Sequence, residues 1–253
     1  MINLANQLGR MISFLMAGFL AARFGPISAF TISAIGGFVA FGLSLFIRED
    51  KAPPDRTPLT VRELLAVSKE RNLLISSALA VCVQLIAYAT FQTFTMNHAV
   101  TVGATPQQLG YLLVALLLPA IVLGFFLSKF ILKKIDAKVL IVLGFLFTAI
   151  YCLLVTFTSS IWQLYLVQII GGIGNTLTYS LLMGICVLRI ATEKRGVAMG
   201  FFQSVYGIGM TVGPLIMGLL TDSKSLRFGF LFMAGISVFS MIATALFLQP
   251  TRS

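Results

Sequence analysis

A chain of 253 residues that is 58% hydrophobic and only 10% charged cannot be an ordinary soluble domain, whose wetted surface calls for about 25% charged residues. Its mean hydropathy of +0.99 makes a bilayer the solvent for most of its side chains. The formal charge of +10 does not point to nucleic acid, because no basic patch interleaves with aromatics on a water-facing surface; membrane proteins gather Lys and Arg in their cytoplasmic loops.

A helix needs about 20 apolar residues to cross the hydrocarbon core, and in lipid only helices or closed barrels satisfy their own backbone. About eight such runs occur, at 4–22, 27–47, 73–95, 109–130, 139–157, 162–188, 197–220 and 229–248. They predict an all-α polytopic membrane protein.

The first run carries Asn3, Gln7 and Arg10 at helical spacing, continuing toward Ser13, so that one polar stripe enters the membrane. Arg10 has three open roles: to bind an anionic substrate, to counter a carboxylate of another helix, or to snorkel to nearby headgroups. A secretory signal peptide is disfavoured, because a second apolar span follows within a few residues. After that second run, Pro53, Pro54 and Pro58 break regular structure, and Thr60 with Glu63 forms a capping-box pattern opening a short helix to about Glu70. This basic stretch, with Arg48, Lys51, Arg56, Arg62, Lys69 and Arg71, reads as a linker between two bundles.

In the third run Gln84, Tyr88, Gln92 and Thr95 share a helical face, suited either to a cavity that hydrogen-bonds a ligand or to bonding between helices. The fourth holds Pro119, a permitted kink, and is followed by Lys129, Lys133, Lys134 and Lys138. The sixth carries Gln168, Asn175 and Tyr179 on one face and is followed by Arg189, Lys194 and Arg195. The seventh opens with Gln203 and Tyr206. Its Gly196/Gly200 and Gly209/Gly213 pairs, with Pro214 and Gly218, suit close helix packing or gating. Loop charges put the even-numbered loops and both termini in the cytoplasm, with the plasma (inner) membrane as the expected location.

All eight acidic residues stand in loops or at their edges, so a carboxylate proton relay at membrane depth is not expected from this chain. His98 is expected in a non-cytoplasmic loop without metal-ligating partners. Cys82, Cys152 and Cys186 lie in apolar runs without CxxC spacing. No metal site, no cofactor and no enzyme activity are expected, because no His or acid stands within the spans to activate a nucleophile.

Gly9 and Gly209, Gly18 and Gly218, Phe30 and Phe230, and Ala34 and Ala234 match at one constant offset, bringing the first pair of spans onto the last pair. Repeats of six-helix halves are a transporter architecture. The stretch Arg195-Gly196-Val197-Ala198-Met199-Gly200, followed by Gly209, Gly213, Pro214 and Gly218, resembles the entry to the eleventh helix of the major facilitator superfamily. The loop after the fourth run resembles the family's G-x3-D-R-x-G-R-K signature in degraded form: Gly124 keeps its place and Lys129, Lys133 and Lys134 supply the charges, while Ser128 replaces the acid and Ile131 the second glycine.

The resemblance implies that the chain corresponds to family helices five to twelve: residues 1–47 as the last two helices of an N-terminal bundle, 48–72 as the cytoplasmic inter-bundle loop, and 73–253 as a six-helix C-terminal bundle. It implies secondary transport of a small organic solute by alternating access, with a lean to drug-like efflux. The substrate-binding candidates are Asn3, Gln7, Arg10, Gln84, Tyr88, Gln92, Gln168, Asn175, Tyr179 and Gln203; those for packing or gating are Gly196, Gly200, Gly209, Gly213, Pro214 and Gly218. An anion or carboxylate carrier using Arg10 is one alternative. An inactive or partner-dependent form, with the first four helices supplied by another chain, is the other. Expected partners are the solute and membrane lipid.

Overall fold

The computed structural model describes residues 2–46, 70–127 and 131–250, with the side chains of residues 2–8, 26 and 125 outside that description. Eight long helices account for most of it: α1 (Ile2–Phe24), α2 (Pro26–Ser44), α3 (Arg71–Thr101), α4 (Pro106–Phe126), α5 (Ala137–Val155), α6 (Ile161–Ile185), α7 (Arg195–Ser223) and α8 (Leu226–Phe247). Seven of them are long and apolar enough to cross a membrane. The other is α1, whose first turns are lowered in apolarity by Asn3, Gln7 and Arg10. The inter-bundle linker lies outside the described residues as far as residue 69, as do Ser128 and Lys129.

Helix starts fall one to three residues before the apolar runs, because polar capping residues satisfy the first backbone N–H groups. Glu70 accepts from the Leu73 amide at 2.7 Å, Asp136 from Lys138 at 2.7 Å, and Ser225 from Phe228 at 3.1 Å. Capping boxes open α4, with Thr105 and Gln108, and α6, with Ser160 and Gln163. Between α1 and α2, Gly25 takes φ of 81°, open to glycine at little cost, and Pro26 begins the next helix with its φ already set.

Six helices, α3 to α8, form one bundle, in which α3 lies against α7, α6 against α3, α4 and α5, and α8 against α5. One apolar core gathers around Ile141, Phe145, Leu182 and Phe202; the other gathers around Ile86, Phe91, Leu112 and Phe230. At the α3–α7 crossing, a Cβ on Gly209 would collide with the Val81 carbonyl and one on Gly213 with the Leu85 carbonyl. Outside the bundle, α1 crosses α4 where Gly18 and Gly110 meet: a Cβ on Gly110 would stand 2.8 Å from the Phe14 oxygen. From α2, Phe30 and Phe38 open outward, 77% and 78% exposed, as side chains facing lipid do.

The third helix departs from expectation in two ways. It continues to Thr101, past the apolar run, so His98 is helical rather than a loop residue. The His98 Nε2 lies 3.1 Å from both the Thr158 carbonyl and its hydroxyl, tying the end of α3 to the α5–α6 turn. The helix also widens into a π-turn over Thr90–Phe94.

Candidate functional site

A π-turn fits an extra residue into one helical turn, which rotates everything beyond it and frees backbone carbonyls from their usual partners. Both effects are visible in α3. Thr93 donates to the Tyr88 carbonyl at 2.8 Å, and Gln168 of α6 donates through Nε2 to the Phe91 carbonyl at 3.2 Å. Beyond the turn, Thr95 is fully buried and hydrogen-bonded to the Tyr151 hydroxyl. The face expected to run from Gln84 through Tyr88 and Gln92 to Thr95 is therefore broken: Thr95 leaves it for the core.

The remaining candidates divide by position. Gln168 is 0% exposed and makes its bond between helices. Its Oε1, like the Oδ1 of Asn175 two turns further on, is enclosed without a hydrogen-bond partner among the described residues. Gln84 is buried, Gln92 half-buried and Gln203 exposed. For Asn3 and Gln7, only the backbone, within α1, is described.

One group does converge. The Tyr179 hydroxyl of α6 donates to the Tyr206 hydroxyl of α7 at 3.3 Å, with the rings edge-to-face at 5.8 Å. Phe202 meets Tyr206 edge-on at 5.3 Å. Tyr88 of α3 is half-buried and Arg10 of α1 is exposed. The Arg10 guanidinium lies 6.0 Å from the Phe14 ring centroid, one turn on along the same helix. Two half-buried phenols, from α6 and α7, thus meet within the spans. Tyr206 was legible only as a helix-opening partner of Gln203, since nothing in sequence pairs it with Tyr179.

The small residues separate as well. Gly209 and Gly213 sit against α3, whereas a Cβ on Gly196 or Gly200 would meet nothing within 4 Å, so this second pair is not a helix contact here. A Cβ on Gly218 would stand 3.9 Å from the Phe94 ring, and Pro214 lies inside an unbroken α7. Gly144/Thr148 and Gly174/Thr178, small residues at helical spacing on α5 and α6, were not singled out from sequence; a Cβ on Gly174 would stand 2.8 Å from the Gly144 oxygen.

A family model described as Major Facilitator Superfamily matches residues 79–253. The chain belongs to the major facilitator superfamily. Within it, the chain is similar to multidrug resistance protein MdtG of Salmonella schwarzengrund (strain CVM19633), 23% identical over 244 residues that cover 92% of this chain and 59% of the relative. MdtG of Salmonella arizonae is also 23% identical, over 96% of this chain and 62% of its own length. Tetracycline resistance protein, class H, of Pasteurella multocida is 28% identical over 47% of this chain and 29% of its own. The chain thus spans less than two thirds of the length of the MdtG relatives. Membership in this superfamily, together with seven long apolar helices, makes it a multi-pass integral membrane protein of a transporter family.

Proposed function

We propose that the protein moves a small amphipathic solute across the membrane by alternating access, in the direction of drug-like efflux. The observation that carries this is the Tyr179–Tyr206 pair: aromatic faces and hydroxyls drawn from separate helices within the spans. Ligand sites of this kind combine apolar walls with a few convergent polar groups, and transporters place them between bundles near the bilayer midplane. The printed names of the relatives, multidrug and tetracycline resistance proteins, support the lean to efflux.

The test is accumulation of Nile red and tetracycline in cells lacking their own exporters and expressing the complete reading frame. Cells with the wild-type protein are expected to accumulate less than vector controls, and Tyr179→Ala with Tyr206→Ala to abolish the difference at equal expression. Wild-type accumulation equal to that of the vector control overturns the proposal.

A further inference from the structure

We propose that a cavity between the end of α3, the end of α5 and the start of α8 binds a small oxyanion between Arg227 and His98. The anion is either free or the phosphate of a lipid headgroup. This site goes beyond the proposed function and does not depend on it. Tyr179 lies about 27 Å along α6 from Ile161 at the rise of an α-helix, whereas His98 is tied to the turn just before Ile161.

The cavity measures about 180 Å³ and is lined by His98, by Val155 and Thr156 where α5 ends, and by Leu226, Arg227 and Phe230 of α8. At about 30 Å³ for each water, it has room for about six waters, or for one group of about five heavy atoms with its nearest waters. Sites for drug-sized ligands take about 300–1,000 Å³. The cavity therefore suits an ion rather than a solute of that size.

Arg227 gives it a fixed positive charge. The residue is exposed, and its guanidinium lies 5.2 Å from the Phe157 ring centroid. A ring face attracts the cation but offers its N–H groups no oxygen to bond. No carboxylate lines the cavity, and Arg227 has no ion-pair partner among the described residues. An oxyanion supplies the missing acceptor, through a charge-assisted hydrogen bond.

His98 gives it a second charge that depends on pH. Its Nε2 lies 3.1 Å from the Thr158 carbonyl and hydroxyl, and its Nδ1 3.4 Å from the Thr101 hydroxyl. Both hydroxyls spend their own protons elsewhere: Thr158 donates to the Val155 carbonyl and Thr101 to the His98 carbonyl, each at 2.7 Å. Every oxygen on the two ring nitrogens is thus left as an acceptor, an arrangement that an imidazole protonated on both nitrogens satisfies. Histidine changes charge between pH 5 and 8. The groups facing the ring are Thr101 on its own helix, Thr156 and Thr158 from the end of α5, and Arg227 from α8; of these only Arg227 is charged. Protonation sets two cations on one cavity, and a bound anion relieves their repulsion.

The experiment is equilibrium dialysis of radiolabelled sulfate against the full reading frame in a neutral maltoside detergent. Sulfate keeps its charge from pH 8 to pH 5.5, and His98 is the one histidine of the chain. The wild type is expected to bind sulfate at both values and at least about three-fold tighter at pH 5.5. Arg227→Gln should weaken binding about ten-fold or more, the scale of one hydrogen bond to a charged group. His98→Gln keeps a donor for Thr158, so it should match the wild type at pH 8 and lose the gain at pH 5.5. Competition then names the source. Glycerol phosphate that displaces sulfate as well as dihexanoylphosphatidylglycerol does supports a free anion, and displacement by the lipid alone supports a headgroup.

Absence of sulfate binding at both pH values overturns the proposal. So does an Arg227→Gln protein that binds sulfate as the wild type does, or a wild type whose binding is equal at pH 8 and pH 5.5.

Discussion

The Gln168 side chain of α6 donates to the Phe91 carbonyl of α3 at 3.2 Å, at the point where α3 widens into its π-turn. The bond fills the vacancy that the widened turn creates in the backbone ladder. The two helices close tightly around it: a Cβ on Gly171, three residues beyond Gln168, would strike both the Phe91 and Tyr151 rings, whose centroids are 4.5 Å apart.

Replacing Gln168 with Leu removes that donor and leaves a buried carbonyl unpaired. It also removes the enclosed Oε1, which has no partner among the described residues, so the two changes partly offset. A net loss of about 1 kcal/mol is expected, the scale of a hydrogen bond within a membrane bundle. Thermal unfolding in detergent measures it, and a variant as stable as the wild type would remove the bond as a stabilising contact.

The glycine pairs of α7 should respond in opposite directions. Gly213→Ala presses a methyl group into the Leu85 carbonyl and is expected to cost about 1–3 kcal/mol; Gly213→Leu should be worse. Gly200→Ala adds its methyl to open space within a helix. There the gain in helix propensity, up to about 1 kcal/mol, meets no opposing contact. Melting temperatures of the two alanine variants, side by side, decide the matter: equal shifts would contradict the α3–α7 contact.

Orientation in the bilayer follows from loop charge. Single cysteines at Gly103 or Ser160, on a background with Cys82, Cys152 and Cys186 replaced, should react with an impermeant maleimide added to intact cells. Those at Pro54 or Ala137 should react only after lysis. The opposite pattern would invert the topology.

The sequence alone determined the class of the protein, the number of its long helices and nearly all of their positions. A bilayer imposes one requirement on every span, an apolar length with a self-satisfied backbone, and that requirement is local and readable in one dimension. Family resemblance was legible for the same reason, since it rests on residues in fixed order, such as Gly209, Gly213 and Pro214. Tertiary structure decided which polar and small residues meet. Gly196/Gly200 and Gly209/Gly213 have the same spacing, yet among the described residues only the second pair has a helix against it. Gln168 and Tyr179 lie on one helix within the same expected stripe, yet one is absorbed by a backbone carbonyl and the other meets Tyr206. The π-turn at Thr90–Phe94 set the phase of α3, sending Thr95 to Tyr151 and away from Tyr88. Hydropathy reports only how much a side chain avoids water. Which neighbour it finds depends on helix rotation, and rotation is fixed by contacts between segments far apart in the chain.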